Sequence, residues 1–216
     1  MSFSRADRST IAQWWWTVDR WTLATIGALM FMGAILVLAA SPAVATRIGL
    51  DSFHLVRQHY VMLPVALTIV IGISMLAPKQ VRRLGVVLFF VFLGLTALTL
   101  VYGSEIKGAT RWVSVGPLSL QPSEFLKPTF AIFAAWMFSL KLDGHGVPGS
   151  LISTVAYGIV VGILLQQPDL GMTAVVTATW FAQFFVAGLS FFWVILLGSL
   201  AVAGLFGAYF VFPHVH

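Results

Sequence analysis

This sequence predicts an all-α polytopic membrane protein, and three observations carry that expectation. Of its 216 residues, 59% are hydrophobic and only 9% are charged. The mean hydropathy of +0.96 exceeds what a water-soluble chain of this length needs. The apolar residues are also gathered into runs of about 20, the number a helix needs to cross a hydrocarbon core of roughly 30 Å. Helices are the expected spanning form because each satisfies its own backbone within lipid, where no water can do so.

Taken in order, residues 1–20 form a tail in which Arg5, Arg8 and Arg20 flank the run Trp14-Trp15-Trp16. This suits a cytoplasmic segment whose aromatic rings rest at the headgroup level. The remainder, 21–216, is expected to be one transmembrane domain, with spans over 21–40, 60–77, 84–102, 124–140, 150–166, 171–187 and 191–212. That makes about seven helices. The stretch from Ala39 to Ala45 (AASPAVA) imitates the small-residue end of a secretory signal. The apolar run before it is long enough to span, however, and follows a tail of about 20 residues, so an uncleaved first helix is expected.

Orientation follows from the turn Pro78-Lys79-Gln80-Val81-Arg82-Arg83, whose cations have no acid beside them and mark the cytoplasmic side. The amino terminus is then cytoplasmic as well. Alternation places residues 103–123, the break at 166–171 and the end at His216 outside. Lys141, Asp143 and His145 fall in a small cytoplasmic loop whose turn chemistry comes from Gly144, Gly146, Pro148 and Gly149. Gly158 and Gly162 form a small-xxx-small pair, expected to seat one helix against another.

The net charge of +5 and the pI near 10.0 come from basic residues scattered beside apolar spans. They read as topology signals and not as a phosphate-binding face, so no nucleic-acid partner is expected. The chain has no cysteine, which excludes disulfides, thiolate catalysis and cysteine-based metal sites. His54 and His59 beside Arg57 and Gln58 make poor metal-ligand evidence and suit interfacial solvation. With no phosphate-binding loop and no dinucleotide fingerprint, no nucleotide-driven step is indicated.

Charge and polarity concentrate from Gly103 to Lys127, where Glu105, Lys107, Arg111, Gln121, Glu124 and Lys127 occupy one loop and the mouth of the next span. A charge at the bilayer centre costs about 2.5–3.5 kcal/mol, so such groups face a cavity or one another and are functional candidates. Lys107 and Arg111 are either solvated loop cations or a phosphate clasp, since Arg binds phosphate bidentately and Lys adds a point charge. Trp112 either lies under a sugar ring or sits at the interface. An anionic lipid headgroup is a natural ligand for this cluster.

In Gln121-Pro122-Ser123-Glu124, Pro fits the first helical position and Glu offsets the positive end of the helix dipole. Glu124 and Lys127 lie three apart on one helix face and are placed to pair. Because the rest of that span is apolar, both also border water or ligand in a functional reading. Asp169, in Gln166-Gln167-Pro168-Asp169-Leu170-Gly171, reads equally as a helix cap and as a ligand-site acid. The roles are compatible, since a capping carboxylate facing a cavity can also hold a cation or a cationic side chain.

The segment KGATRWVSVGPLSLQPSEFLK followed by QQPDLG closely resembles the SEDS proteins, the family of FtsW and RodA. The order of elements agrees as well: an Arg-Gln pair, a large loop ending in QPSE-x-x-K, then PDLG two spans later. The Lys107-Gly108 form of the loop and the tryptophan-rich tail place the resemblance nearer the FtsW branch, of alphaproteobacterial type, than the RodA branch. Val115 stands before Gly116 where the family more often has Leu, a small apolar change.

The resemblance implies a peptidoglycan glycosyltransferase that polymerises lipid II at the outer face of the bacterial cytoplasmic membrane, at the division septum. Its implied partners are undecaprenyl-pyrophosphate-linked substrate, a class B penicillin-binding protein and other division proteins. Its implied substrate-binding residues are Lys107, Arg111, Gln121, Glu124, Lys127 and Asp169, with Mg or Mn as a possible divalent cation. A lipid II flippase, a RodA-like elongation polymerase and a scaffold for division proteins are the alternatives. The family fold has roughly ten helices, so an amino-terminal fragment is expected. The acid considered catalytic in the family follows the seventh span, which puts it past His216; the chain is expected to hold no catalytic residue and to be inactive alone.

Overall fold

The structure, a computed structural model, describes residues 9–106, 109–115, 118–142 and 146–188, with 192, 195–196, 198–200, 202–204 and 207 after them. Its contacts divide into two units, Met1–Ala77 and Pro78–His216.

In the first unit, Ser9 caps α1 (Thr10–Thr17) by accepting from the Ala12 N–H. Asp19 then caps α2 (Arg20–Arg47), its carboxylate accepting from the Trp21 N–H and the Thr22 hydroxyl. These bonds hold its carboxyl below the ordinary value of 3.8, the Thr22 hydroxyl contributing most. With 28 residues, α2 is about 42 Å long at 1.5 Å per residue and outreaches the hydrocarbon core. It packs antiparallel to α3 (His54–Ser74), and the Tyr60 hydroxyl donates to the Ala34 carbonyl across the pair. Trp14 of α1 donates to the Ser74 hydroxyl at 2.9 Å, and Arg20 lies 5.2 Å from the rings of both Trp15 and Trp16. The tryptophan run is therefore held on a short helix, with a cation over its rings.

The second unit contains α4 (Pro78–Tyr102), a three-stranded antiparallel sheet of β1 (Ser104–Ile106), β2 (Ala109–Val115) and β3 (Leu118–Leu120), then α5 (Pro122–Leu142), α6 (Gly149–Gln166) and α7 (Leu170–Val186). Its core joins Phe89 of α4, Phe130 and Phe133 of α5, Val160 of α6, and Val176 and Trp180 of α7. Phe89 stacks on Phe133 with ring centres 4.6 Å apart, and Tyr157 on Trp180 at 4.4 Å. The one polar atom of Trp180 is satisfied by the Ser153 hydroxyl at 2.9 Å, as a buried indole requires. At Gly149 a Cβ would stand 1.8 Å from the Met137 carbonyl oxygen, so only glycine lets α6 begin against α5.

Five described helices, α2 to α6, are long and apolar enough to cross a membrane, and α7 with 17 residues lies at the lower end of that range. The all-α polytopic expectation therefore holds for the spanning segments. Side chains such as Phe31, Leu36 and Val61 remain exposed, as lipid-facing groups do.

Four details differ from expectation. The basic turn at 78–83 is the opening of α4, with Pro78 at its first position. The loop expected outside contains the sheet, because Thr, Trp and Val in ATRWVSV favour an extended pleated backbone. Gly158 and Gly162 have nothing within 4 Å of where a Cβ would stand, and α6 instead buries Ser153, Ala156, Val160 and Leu164. Lys141 lies within α5, while 143–145 fall outside the described residues. Most of the expected span 191–212 is also outside them.

Candidate functional site

The ends of four helices meet at one rim of the second unit. The α4 chain leaves its last turn directly into β1, β2 runs back against β1, β3 pairs with β2, and Pro122 starts α5. On the other side of the rim, α6 stops at Gln166 and α7 restarts at Leu170.

Arg111 reaches this rim through a register irregularity. Ser104 pairs with Trp112 and Glu105 with Thr110, so the pairing skips Arg111, which has no partner residue on β1. Bulges of this kind bend a strand and re-aim the extra side chain. The Arg111 Nη1 donates to Asp169 Oδ2 at 2.9 Å, across 58 residues of sequence. Its side chain is 31% exposed, whereas that of Asp169 is 8% exposed. The other Asp169 oxygen, Oδ1, accepts from the Met172 N–H at 3.1 Å and caps α7. Cap and cation holder are thus the same carboxylate.

The bond to Asp169 uses one of the five N–H donors of the guanidinium. That leaves a partly exposed planar fork, the geometry that binds phosphate or carboxylate oxygens. Lys127 pairs with Glu124 at 2.8 Å, one helical turn apart. Gln121 donates to the buried Ser123 hydroxyl at 3.1 Å and stands at the α5 entrance. The predicted residues therefore meet as pairs, Arg111 with Asp169 and Lys127 with Glu124, and among the described residues no hydrogen bond links one pair to the other. Lys107 lies outside the described residues. Arg57, in the first unit, pairs with Asp51 at 2.6 Å, both well exposed.

A buried knot beside the break was missed by sequence reasoning. Gln167, 1% exposed, donates through Nε2 to the Thr96 carbonyl and the Thr99 hydroxyl of α4. Thr99 in turn donates to the Thr96 carbonyl at 2.7 Å. Its only sequence signal is two threonines three residues apart in an otherwise apolar span, a spacing that puts them on one face. Between knot and cap, Pro168 stands at φ 26°, outside the range its ring favours, a strain that the bonds on either side hold in place.

The chain resembles proteins already known. The family model described as "Cell cycle protein", that of FtsW, RodA and SpoVE, matches residues 20–215. The chain belongs to this family. A Caulobacter vibrioides relative named "Probable peptidoglycan glycosyltransferase FtsW" is 41% identical over 219 residues, covering all of this chain and 55% of its own length. One of the same name from Nitrosococcus halophilus is 31% identical over 191 residues, covering 87% of this chain and 49% of itself. Among solved structures, Thermus thermophilus RodA superposes with a TM-score of 0.69 at 30% identity, covering 88% of this chain and 60% of that one. A chain from a peptidoglycan synthase complex that coordinates polymerization and crosslinking superposes at 0.68 and 28% identity, covering 92% and 57%. This FtsW/RodA-type chain is a multi-pass membrane protein and spans about half the length of the curated relatives it matches.

Proposed function

We propose that this chain carries part of the substrate cavity of a peptidoglycan glycosyltransferase of the FtsW branch, which polymerises lipid II at the outer face of the inner membrane during division. The observation that carries this reading is the half-buried Arg111, aimed by its bulge at the rim and held there by Asp169. The names of the relatives supply the reaction class.

In that reaction the 4-hydroxyl of an acceptor GlcNAc attacks the anomeric carbon of a donor MurNAc. The new bond joins that oxygen to the anomeric carbon, the bond to the pyrophosphate oxygen breaks with inversion, and the hydroxyl proton passes to a carboxylate base. Negative charge develops on the departing undecaprenyl pyrophosphate. Arg111 stabilises it with the guanidinium donors that Asp169 leaves free, and Lys127 adds charge from the mouth of α5, with Lys107 as a further cation of the loop. Gln121 and Glu124 border the same entrance. The base comes from the segment that follows the seventh span in the family, and the septal partner is a class B penicillin-binding protein acting with other division proteins.

Among the described residues no three acidic or histidine side chains converge, and Asp169 and Glu124 are each paired with a cation. A Mg or Mn ion bound with the diphosphate would help neutralise its developing charge, and no step is routed through it.

The test uses full-length protein with its transpeptidase partner in nanodiscs. Arg111→Ala and Lys127→Ala should each lower lipid II polymerisation by about 10²-fold, the usual loss for one electrostatic stabiliser. Undiminished glycan synthesis in both variants would overturn the reading. Lost exposure of lipid II with intact polymerisation would favour a transporter instead.

A further inference from the structure

We infer that Gln167 is a positioning residue: its hydrogen bonds to Thr96 and Thr99 lock the α6–α7 break onto α4 and thereby set where Asp169 holds Arg111. The inference rests on the diphosphate-gripping role proposed for Arg111, and deepens it.

The contacts form a closed circuit. From Thr99, the last turn of α4 runs to Gly103, whose N–H donates to the Thr99 carbonyl at 2.9 Å, and the chain passes straight into β1. Ser104 of β1 pairs with Trp112, next to Arg111 on β2. Arg111 bonds Asp169, and the Asp169 N–H donates to the Leu164 carbonyl at 3.0 Å in the last turn of α6. Gln167, inside that same break, returns to Thr99 through Nε2. One side of the circuit is thus covalent chain plus sheet, and among the described residues the side-chain hydrogen bonds that close the other side are those of the Gln167 amide. Removing those bonds should loosen the break from α4 while the apolar packing of the helices remains.

The amide has one orientation. The Thr96 carbonyl can only accept, so the donating Nε2 must face it and a flipped amide would set two oxygens against each other. Among the described residues Gln167 Oε1 is buried without a partner, an arrangement that costs stability. A residue kept only to fill space would be served as well by Leu. A donor in a specified direction, retained at the expense of an unsatisfied oxygen, points to placement of the adjoining Pro168-Asp169 backbone. Small misplacements of a substrate-holding group are known to be costly in rate.

The experiment measures kcat and KM for lipid II in the full-length enzyme with its partner. Thr99→Val removes the acceptor hydroxyl at constant shape, and Gln167→Leu removes the whole contact. Both should lower kcat/KM by about tenfold, and Thr99→Ser, which restores the hydroxyl, should recover it to within about twofold. In an Arg111→Ala background Thr99→Val should add less than about twofold, because it acts through Arg111. Hydrogen exchange gives a readout independent of turnover: the Met172 amide, bonded to Asp169, should exchange faster in Thr99→Val. If Thr99→Val lowers thermal stability but leaves kcat/KM and Met172 exchange unchanged, the positioning role is overturned while the grip of Arg111 stands. A full additional loss in the Arg111→Ala background overturns it likewise. A silent Arg111→Ala overturns both.

Discussion

Replacing Asp169 by Asn should separate the two tasks that its carboxylate combines. Asn caps a helix about as well as Asp, so the bond to the Met172 N–H is kept while the charge facing Arg111 is lost. The cost lies between two limits. An exposed ion pair contributes about 0–1 kcal/mol, and breaking a fully buried one costs about 3–5 kcal/mol. Here the acid is 8% exposed and the cation 31%, so Arg111 can turn toward solvent but Asp169 was desolvated to meet it. A hydrogen bond between charged groups contributes about 1.5–3 kcal/mol, and with the cation partly wet the expected loss is about 2 kcal/mol. Asp169→Ala also loses the cap and should cost about 1 kcal/mol more. The assay is equilibrium unfolding of the full-length protein in detergent, for Asp169→Asn, Arg111→Gln and the double variant. The coupling should be about 2 kcal/mol. A coupling below about 0.5 kcal/mol would refute the reasoning, since the pair would then behave like one at an open surface.

Three further outcomes follow from the geometry. Glu124→Gln should change stability by less than about 0.5 kcal/mol in the same unfolding assay, because Glu124 is 53% exposed and its bond to the partly exposed Lys127 is a single-turn helix pair. Gly149→Ala should cost about 3 kcal/mol or more, since its Cβ would meet the Met137 carbonyl at 1.8 Å, whereas Gly158→Ala, facing open space, should be neutral or stabilise by up to about 1 kcal/mol; thermal unfolding compares them. The Asp19 carboxyl is held below 3.8, so its support for the start of α2 is complete above that value and is lost as pH falls through the lower folded-state value. The Trp21 amide proton, followed by NMR in micelles, should titrate with a midpoint below 3.8, and Asp19→Asn should abolish the step.

Much of the rim was legible because its residues obey local rules. Asp169 at a helix start, Glu124 in a first turn and Lys127 three residues later could each be placed from spacing, and the structure shows the cap and the pair. That Asp169 could hold a cationic side chain was also legible, but not which one. Arg111 is 58 residues away, and its approach depends on a skipped position between two very short strand pairings. Strands of three residues carry too few alternations to show a period, so the loop hid its sheet. The Gln167 knot was invisible for a related reason, because a single amide next to a helix stop resembles ordinary turn chemistry.

What the sequence alone determined is therefore the described spans α2 to α6 and the chemistry at helix ends: crossing lipid demands about 20 apolar residues, and capping and charge placement act within one turn. Tertiary structure decided which faces meet. The α6 helix is apolar on every side, and it packs through Ser153, Ala156, Val160 and Leu164, not through the glycine pair. In lipid, both a neighbouring helix and the surrounding chains are apolar, so no amphipathic period marks the buried side. Shape complementarity and a few long-range hydrogen bonds make that choice, and neither is written within any one span.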